Sequence, residues 1–323
     1  MQAQAFWIVQ PGVGEIRRET LSPLDDGQVR VRTLYSAVSR GTEALVFQGK
    51  VPPSQYERMR APFQEGDFPA PIKYGYSSVG EVIAGPPAWL GRRVFCLYPH
   101  QTLYQAPVAA VTLLPENLPP GRAVLAANLE TAVNGVWDLA PRIGDRIAVI
   151  GAGTVGVLAA LLCRGIPGGA VQLIDSNPAK AAIASQLGLE FALPGEAGQE
   201  FDGVIHASAA PAGLALALAR AGFEATVVEL SWYGDRLVPL PLGEDFHSRR
   251  LTLRSSQVSA VSPAQRRRWN HQRRLQLALE LLCDPAFDPV INAECDFAAL
   301  PQTLAGLARG PSAVLCQRVR YPA

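Results

Sequence analysis

The stretch Arg146-Ile-Ala-Val-Ile-Gly-Ala-Gly-Thr-Val-Gly156-Val-Leu-Ala-Ala-Leu-Leu-Cys-Arg164 decides the fold. A short Ile/Val run breaks at three glycines spaced G-x-G-x-x-G and resumes as a Leu/Ala pattern of helical period. That is the strand, tight turn and helix of a dinucleotide site. Gly151 permits the turn off the strand, Gly153 lets the backbone approach a pyrophosphate, and Gly156 lets the helix pack against the sheet. Thr154 and Val155 open the helix, whose N-terminal N–H groups and positive dipole end suit a phosphate. A second strand, Val171-Gln-Leu-Ile-Asp175, ends in a carboxylate placed to accept bonds from the adenosine ribose hydroxyls and to repel a 2′-phosphate. NAD is therefore expected ahead of NADP.

Outward from this turn the texture differs on the two sides. After it come further strand segments near Phe191, Gly203–His206, Ala225–Leu230 and Leu251–Ser255, separated by helical patterns near 178–188, 211–222 and 263–283. This predicts an α/β fold, a Rossmann doubly wound parallel sheet of about six strands. Before it, residues 1 to 120 read as short strands punctuated by Pro and Gly, among them Phe6–Val9, Gln28–Thr33, Gly80–Ile83, Arg93–Leu97 and Ala109–Leu113. The tail past Pro289 is too short to stand alone and is expected to return to the first domain. The expected division is 1–122 with 257–323 as the β-rich catalytic and substrate domain, and 123–256 as the dinucleotide domain.

Bulk properties exclude several classes. At 323 residues, with 48% hydrophobic and 18% charged content and a net charge of +1, the chain has no field to hold nucleic acid or an anionic membrane. The five cysteines, Cys96, Cys163, Cys283, Cys295 and Cys316, form no C-x-x-C pair, so neither a zinc finger nor a disulfide framework is expected. The N-terminus lacks a basic leader pattern, and no apolar run approaches the ~20 residues that span a bilayer. A cytoplasmic protein acting on a small molecule is expected, with no nucleic-acid or membrane partner.

With the nucleotide fold in its second half, the chain resembles the medium-chain dehydrogenase/reductase superfamily over essentially its whole length. The matching pieces are Ser36-Ala-Val-Ser-Arg-Gly-Thr-Glu43, Tyr74-Gly-Tyr-Ser-Ser-Val-Gly-Glu-Val82, Gly91-Arg-Arg-Val-Phe95, the glycine turn, Gly203-Val-Ile-His-Ala-Ser208 and Ala225-Thr-Val-Val-Glu-Leu-Ser231. Two of these segments look most like the branch containing the bacteriochlorophyllide 3-hydroxyethyl dehydrogenase. The resemblance implies a GroES-like first domain. It also implies that Thr131 lies beside the nicotinamide, that Arg40 reaches the pyrophosphate, and that Lys180 sits at the adenosine ribose. Ser208 and Ser231, at the ends of successive strands, fall on the carboxyl-end crevice where the cofactor lies. An ordinary surface ion pair for Arg40 and an intrahelical bond for Thr131 are the structural alternatives.

The departures from the family are informative. Its zinc-dependent members place metal ligands where this chain has Ser39, Tyr76-Ser77 and about Ala127, and the four-cysteine structural lobe is missing. Those residues do not supply the ligands that catalytic zinc needs, so a zinc-free protein is expected. Without that Lewis acid another group must bond the reacting oxygen. Tyr76 is the candidate donor, His100 the candidate proton exchanger and Glu43 a carboxylate that orients either or acts as base. Each also has a structural reading: Tyr76 as a filler, His100 as a bonded loop residue and Glu43 as a helix N-terminal charge. His206 reads as structural or adenine-adjacent, and Arg266–Arg268 with Arg273 and Arg274 reads as the solvated face of an amphipathic helix. The segment 48–69, with Tyr56, Phe63 and Phe68, reads either as a lid or as a simple loop.

The sequence thus points to a zinc-independent, NAD-linked oxidoreductase that interconverts a secondary alcohol and a ketone on a bulky substrate. An NADPH-dependent reductase of activated C=C bonds or quinones, and a non-catalytic nucleotide sensor, are the rivals. The apolar edge Leu251–Ser255 leads us to expect a homodimer.

Overall fold

The computed structural model describes residues 1–310 and 312–322. The chain divides into two compact units, residues 1–127 with 279–323 and residues 128–278.

The second unit carries a six-stranded parallel sheet. Its elements in chain order are β1 (Arg146–Ile150), α1 (Thr154–Arg164), β2 (Ala170–Ile174), α2 (Lys180–Gln186), β3 (Glu190–Ala192), β4 (Phe201–His206), α3 (Pro211–Arg220), β5 (Ala221–Glu229) and β6 (Thr252–Ser255). The strand order is β3-β2-β1-β4-β5-β6, the doubly wound arrangement with its reversal between β1 and β4. Ile147 to Ile150 are all buried, as expected for a central parallel strand covered on both faces. Register places Ile150 beside His206, and His206 beside Glu229, so these residues form one row at the carboxyl ends.

The boundary differs from the one expected. Residues 257–278 belong to the nucleotide unit because Arg274, only 1% exposed, is bonded deep inside it. Its guanidinium pairs with Glu130 Oε1 at 3.0 Å and donates to Asn134 Oδ1 at 2.5 Å, and Trp269 packs on Trp137. Arg274 is thus not on a solvated face. The helix is also shorter than its hydrophobic period suggested, running His271–Leu281, with Asn270 Oδ1 accepting the Arg273 N–H at 2.8 Å.

The first unit is β-rich. A seven-stranded sheet runs Ile291–Asp296, Cys316–Arg320, Gln28–Val38, Ser78–Ala84, Arg93–Cys96, Val111–Leu113, with Leu103–Pro107 paired to Gln28–Val38. The tail strand Cys316–Arg320 lies antiparallel to Gln28–Val38, with Val319 opposite Ser36. A smaller sheet joins Gln2–Gln10, Val13–Thr20, Ile72–Lys73 and Glu65–Gly66. The segment 48–69 is anchored by aromatic packing: Phe63 stacks on Tyr98 and Phe68 lies against Tyr56 and Tyr74. No helix among the described residues is long and apolar enough to cross a membrane.

Candidate functional site

Gly151 has a φ of 109°, and a Cβ there would lie 2.6 Å from the Ser208 nitrogen. A Cβ at Gly156 would collide with the Gly151 carbonyl, whereas one at Gly153 would meet nothing within 4 Å. Two glycines are therefore required by the protein's own packing, and the third keeps open space bare at a helix N-terminus that no side chain caps. Such a cradle fits the pyrophosphate of a dinucleotide. Asp175 braces it: one carboxylate oxygen accepts the Ala152 N–H at 2.7 Å and the other accepts the Asn177 N–H at 2.8 Å. A carboxylate has lone pairs beyond these two bonds for ribose hydroxyls. Lys180 begins α2 and is buried, and Thr154 and Val155 occupy the first turn of α1.

Ser208 and Ser231 sit just past the ends of β4 and β5 and share one half-buried network around the buried His206. Ser208 Oγ is 2.6 Å from His206 Nε2, and His206 Nδ1 is 2.7 Å from Glu229 Oε2. Glu229 also accepts from the Tyr233 hydroxyl at 2.9 Å and, through Oε1, from the Ser231 N–H at 2.6 Å. Burial pushes the Glu229 carboxyl up, but the bonds and charge of His206 and the Ser231 bonds outweigh it, and the net shift is downward. Thr131 lies half-buried on the helix Ala126–Leu139.

The first unit holds the three residues assigned to proton handling. Glu43, on the helix Arg40–Phe47, and His100 are 2% and 1% exposed. His100 Nε2 lies 2.9 Å from Glu43 Oε2, and His100 Nδ1 lies 2.7 Å from Ser36 Oγ, which the Tyr321 hydroxyl meets at 3.0 Å. The second Glu43 oxygen accepts the Ser39 N–H at 2.7 Å. Every polar atom of the histidine is spent inside the protein. Gly75, at a φ of 132°, makes room for this ring: a Cβ there would stand 2.9 Å from His100 Cδ2. His100 and Glu43 thus position their neighbours and do not present a free base. Tyr76 differs, being half-buried between Gly75 and Ser77. Burial first, then the Glu43 charge, pushes its hydroxyl up to about 12, while hydrogen bonds with Ser39 and Thr42 pull the other way. It stays protonated near neutral pH and can donate.

Arg40, expected to reach the pyrophosphate, has hydrogen bonds within its own unit. It donates to the carbonyls of Leu307, at 3.3 Å, and Gly310. Those oxygens close the helix Leu300–Ala308, whose C-terminal carbonyls lack helical partners and attract cations. Ser39 and Tyr76 stand at metal-ligand positions of the resembled family, and among the described residues no group of three His, Cys, Asp or Glu could hold a metal ion. Sequence reasoning missed Ser36, Tyr321, Glu229 and Tyr233. Their partners lie on other strands, and only the strand-end placement of Glu229 two residues before Ser231 offered a signal.

No family model matches the chain. It is 23% identical over 311 residues to D-guloside 3-dehydrogenase of Escherichia coli (strain K12), covering 85% of this chain and 87% of that protein. Over 77 residues it is 31% identical to the aliphatic (R)-hydroxynitrile lyase of Linum usitatissimum, spanning 24% of this chain and 18% of that protein. Among solved structures it is similar to a protein of Sinorhizobium meliloti 1021 described as a zinc-binding dehydrogenase bound to NADP. That match has a TM-score of 0.79 and 15% identity over 99% of both chains. It is also similar to a protein of Escherichia coli CFT073 described as a short chain alcohol dehydrogenase complexed with the cofactor NADH, at a TM-score of 0.78 and 14% identity over 99% of both. These likenesses show the fold, a Rossmann dinucleotide domain and a β-rich GroES-like domain.

Proposed function

We propose that this chain is a zinc-independent, NAD-linked oxidoreductase that interconverts a secondary alcohol and a ketone on a bulky substrate, a hydroxyl on a ring being the favoured group. The observation that carries the reading is the bare Gly153 turn braced by Asp175 in a chain whose metal-ligand position is filled by Tyr76. Gly153, Thr154 and Val155 would hold the phosphates, Asp175 and Lys180 the adenosine ribose, and Thr131, Ser208 and Ser231 the nicotinamide side. When bound, the nicotinamide supplies or takes the hydride. Tyr76, kept protonated by burial and Glu43, donates a hydrogen bond to the substrate oxygen in place of a Lewis acid. Glu43 and His100 hold the Ser39 turn from behind and so fix where that hydroxyl stands.

Asp175 supports NAD over NADP, because a braced carboxylate repels a 2′-phosphate. The dehydrogenase name of the Escherichia coli relative, matched across most of both chains, supports alcohol oxidation. The test is nicotinamide absorbance with NADH or NADPH against ring ketones, and with NAD against the matching alcohols. Turnover is expected with NADH ahead of NADPH. Nucleotide binding without hydride exchange on any carbonyl would favour the sensor reading, and a preference for NADPH would favour the reductase of activated C=C bonds.

A further inference from the structure

The order Ser208, His206, Glu229 is that of nucleophile, base and orienting carboxylate in a hydrolase. Hydrolysis also needs donors for an oxyanion, and the nearest are already engaged. The Ala209 N–H goes to Ser231 Oγ at 3.0 Å and the Ala210 N–H to Ser208 Oγ at 3.2 Å. The arrangement therefore lacks from its own turn the element that makes such a serine reactive.

What the network does fix is the direction of a hydrogen bond. An ionised Glu229 only accepts, and it accepts from His206 Nδ1, the Tyr233 hydroxyl and the Ser231 N–H. In the neutral imidazole Nδ1 then carries the proton and Nε2 must accept. Ser208 gives its proton to Nε2, takes the Ala210 N–H on one lone pair and keeps the other. Gly213 preserves the bond, since a Cβ there would collide with Ser208 Oγ and stand 2.8 Å from His206 Nε2. The Ser208 nitrogen lies against the Gly151 turn, so this hydroxyl is at the nucleotide cradle.

We infer that His206, locked by Glu229, is a positioning residue that makes Ser208 an acceptor-only hydroxyl selecting a hydrogen-bond donor of the bound nucleotide, either a ribose hydroxyl or the carboxamide N–H. The inference rests on the dinucleotide reading. Calorimetric titration of the full chain at pH 8 tests it, using NAD, its 3-acetylpyridine analogue and an analogue with deoxyribose on the nicotinamide side. Ser208→Ala weakens NAD binding about 5- to 10-fold, the span of one hydrogen bond. Glu229→Gln, which can donate to Nδ1 and reverse the ring tautomer, weakens it comparably. The double variant binds no more weakly than Ser208→Ala alone, because the carboxylate acts through the serine. One of the two analogues loses affinity in the wild type and not in Ser208→Ala, which identifies the donor.

Additive losses in the double variant, an unchanged Ser208→Ala, or equal discrimination of both analogues by wild type and Ser208→Ala would overturn the inference while leaving nucleotide binding intact. Failure of the wild type to bind NAD would overturn the dinucleotide reading along with it. Should Glu229→Gln not fold, nitrogen NMR of the imidazoles in the wild type decides, with only four histidines to assign. An Nδ1-protonated neutral ring at His206 is expected, and an Nε2-protonated or doubly protonated ring would overturn the proposal.

Discussion

The two units each contain a Ser–His–Glu chain, and the difference between them separates scaffold from site. In the first unit Ser36, His100 and Glu43 are wholly buried, and Ser36 Oγ is engaged a second time by the Tyr321 hydroxyl. In the nucleotide unit the same three residue types run Ser208, His206, Glu229, but Ser208 is half-buried beside the glycine turn. The chemistry of the donors is the same, and access decides what they do. A closed chain orders a neighbouring tyrosine, and an open one presents an acceptor to a ligand. In both, a glycine faces the imidazole, Gly75 against His100 and Gly213 against His206.

The largest effect should come from breaking the closed chain. His100→Ala leaves one oxygen of the buried Glu43 carboxylate without its partner and is expected to cost about 3 kcal/mol of stability, read by chemical denaturation. The folded fraction should keep kcat/KM within about tenfold, a bound set by loss of positioning alone. Loss of turnover with stability unchanged would instead make His100 a chemical participant. Tyr76→Phe is expected to lower the rate of ketone reduction about 100-fold with little change in stability, since it removes one positioned proton donor. Tyr76 is protonated below its folded value of about 12, so its donation should be lost only as pH rises toward that value. A descending limb of the reduction rate at pH 9 that vanishes in Tyr76→Phe would contradict the assignment.

On the open side, Gly213→Ala sharpens the comparison. Alanine in a helix is ordinarily better than glycine by roughly 1 kcal/mol. Here the methyl pushes Ser208 off His206, and NAD affinity is expected to fall about tenfold, the scale of one hydrogen bond. The smallest effect concerns acid stability. The folded value of Glu229 is depressed, so its contribution is complete above its unfolded value near 4.3 and is lost as pH falls through the lower folded value. Glu229→Gln should flatten the acid limb of the stability curve, measured by thermal melts from pH 6 downward.

The nucleotide unit was largely legible because its signals are local. The glycine spacing, the buried Ile147–Ile150 run and the carboxylate at Asp175 lie close together in sequence. The rows joining strands were not legible. His206 and Glu229 meet because two parallel strands share register, and no spacing rule pairs residues so far apart. His100 likewise reaches Glu43 and Ser36 only through sheet topology, so the burial of His100 and Glu43 beside a half-buried Tyr76 was not legible from spacing. Arg274 shows the same limit from the other side. Its place in an arginine-rich segment with leucines at helical spacing reads as solvated, yet Glu130 and Asn134, brought in from another helix, make it a core residue and move the domain boundary. The strand Val13–Thr20 was missed because its alternation is carried mostly by charged residues.

The replacement of a metal by Tyr76 is the claim on which the functional reading turns. Turnover of a ring ketone with NADH, measured before and after exhaustive chelation, tests it most directly. The account predicts an unchanged rate in protein stripped of zinc. A rate abolished by chelation and restored by added zinc would contradict it.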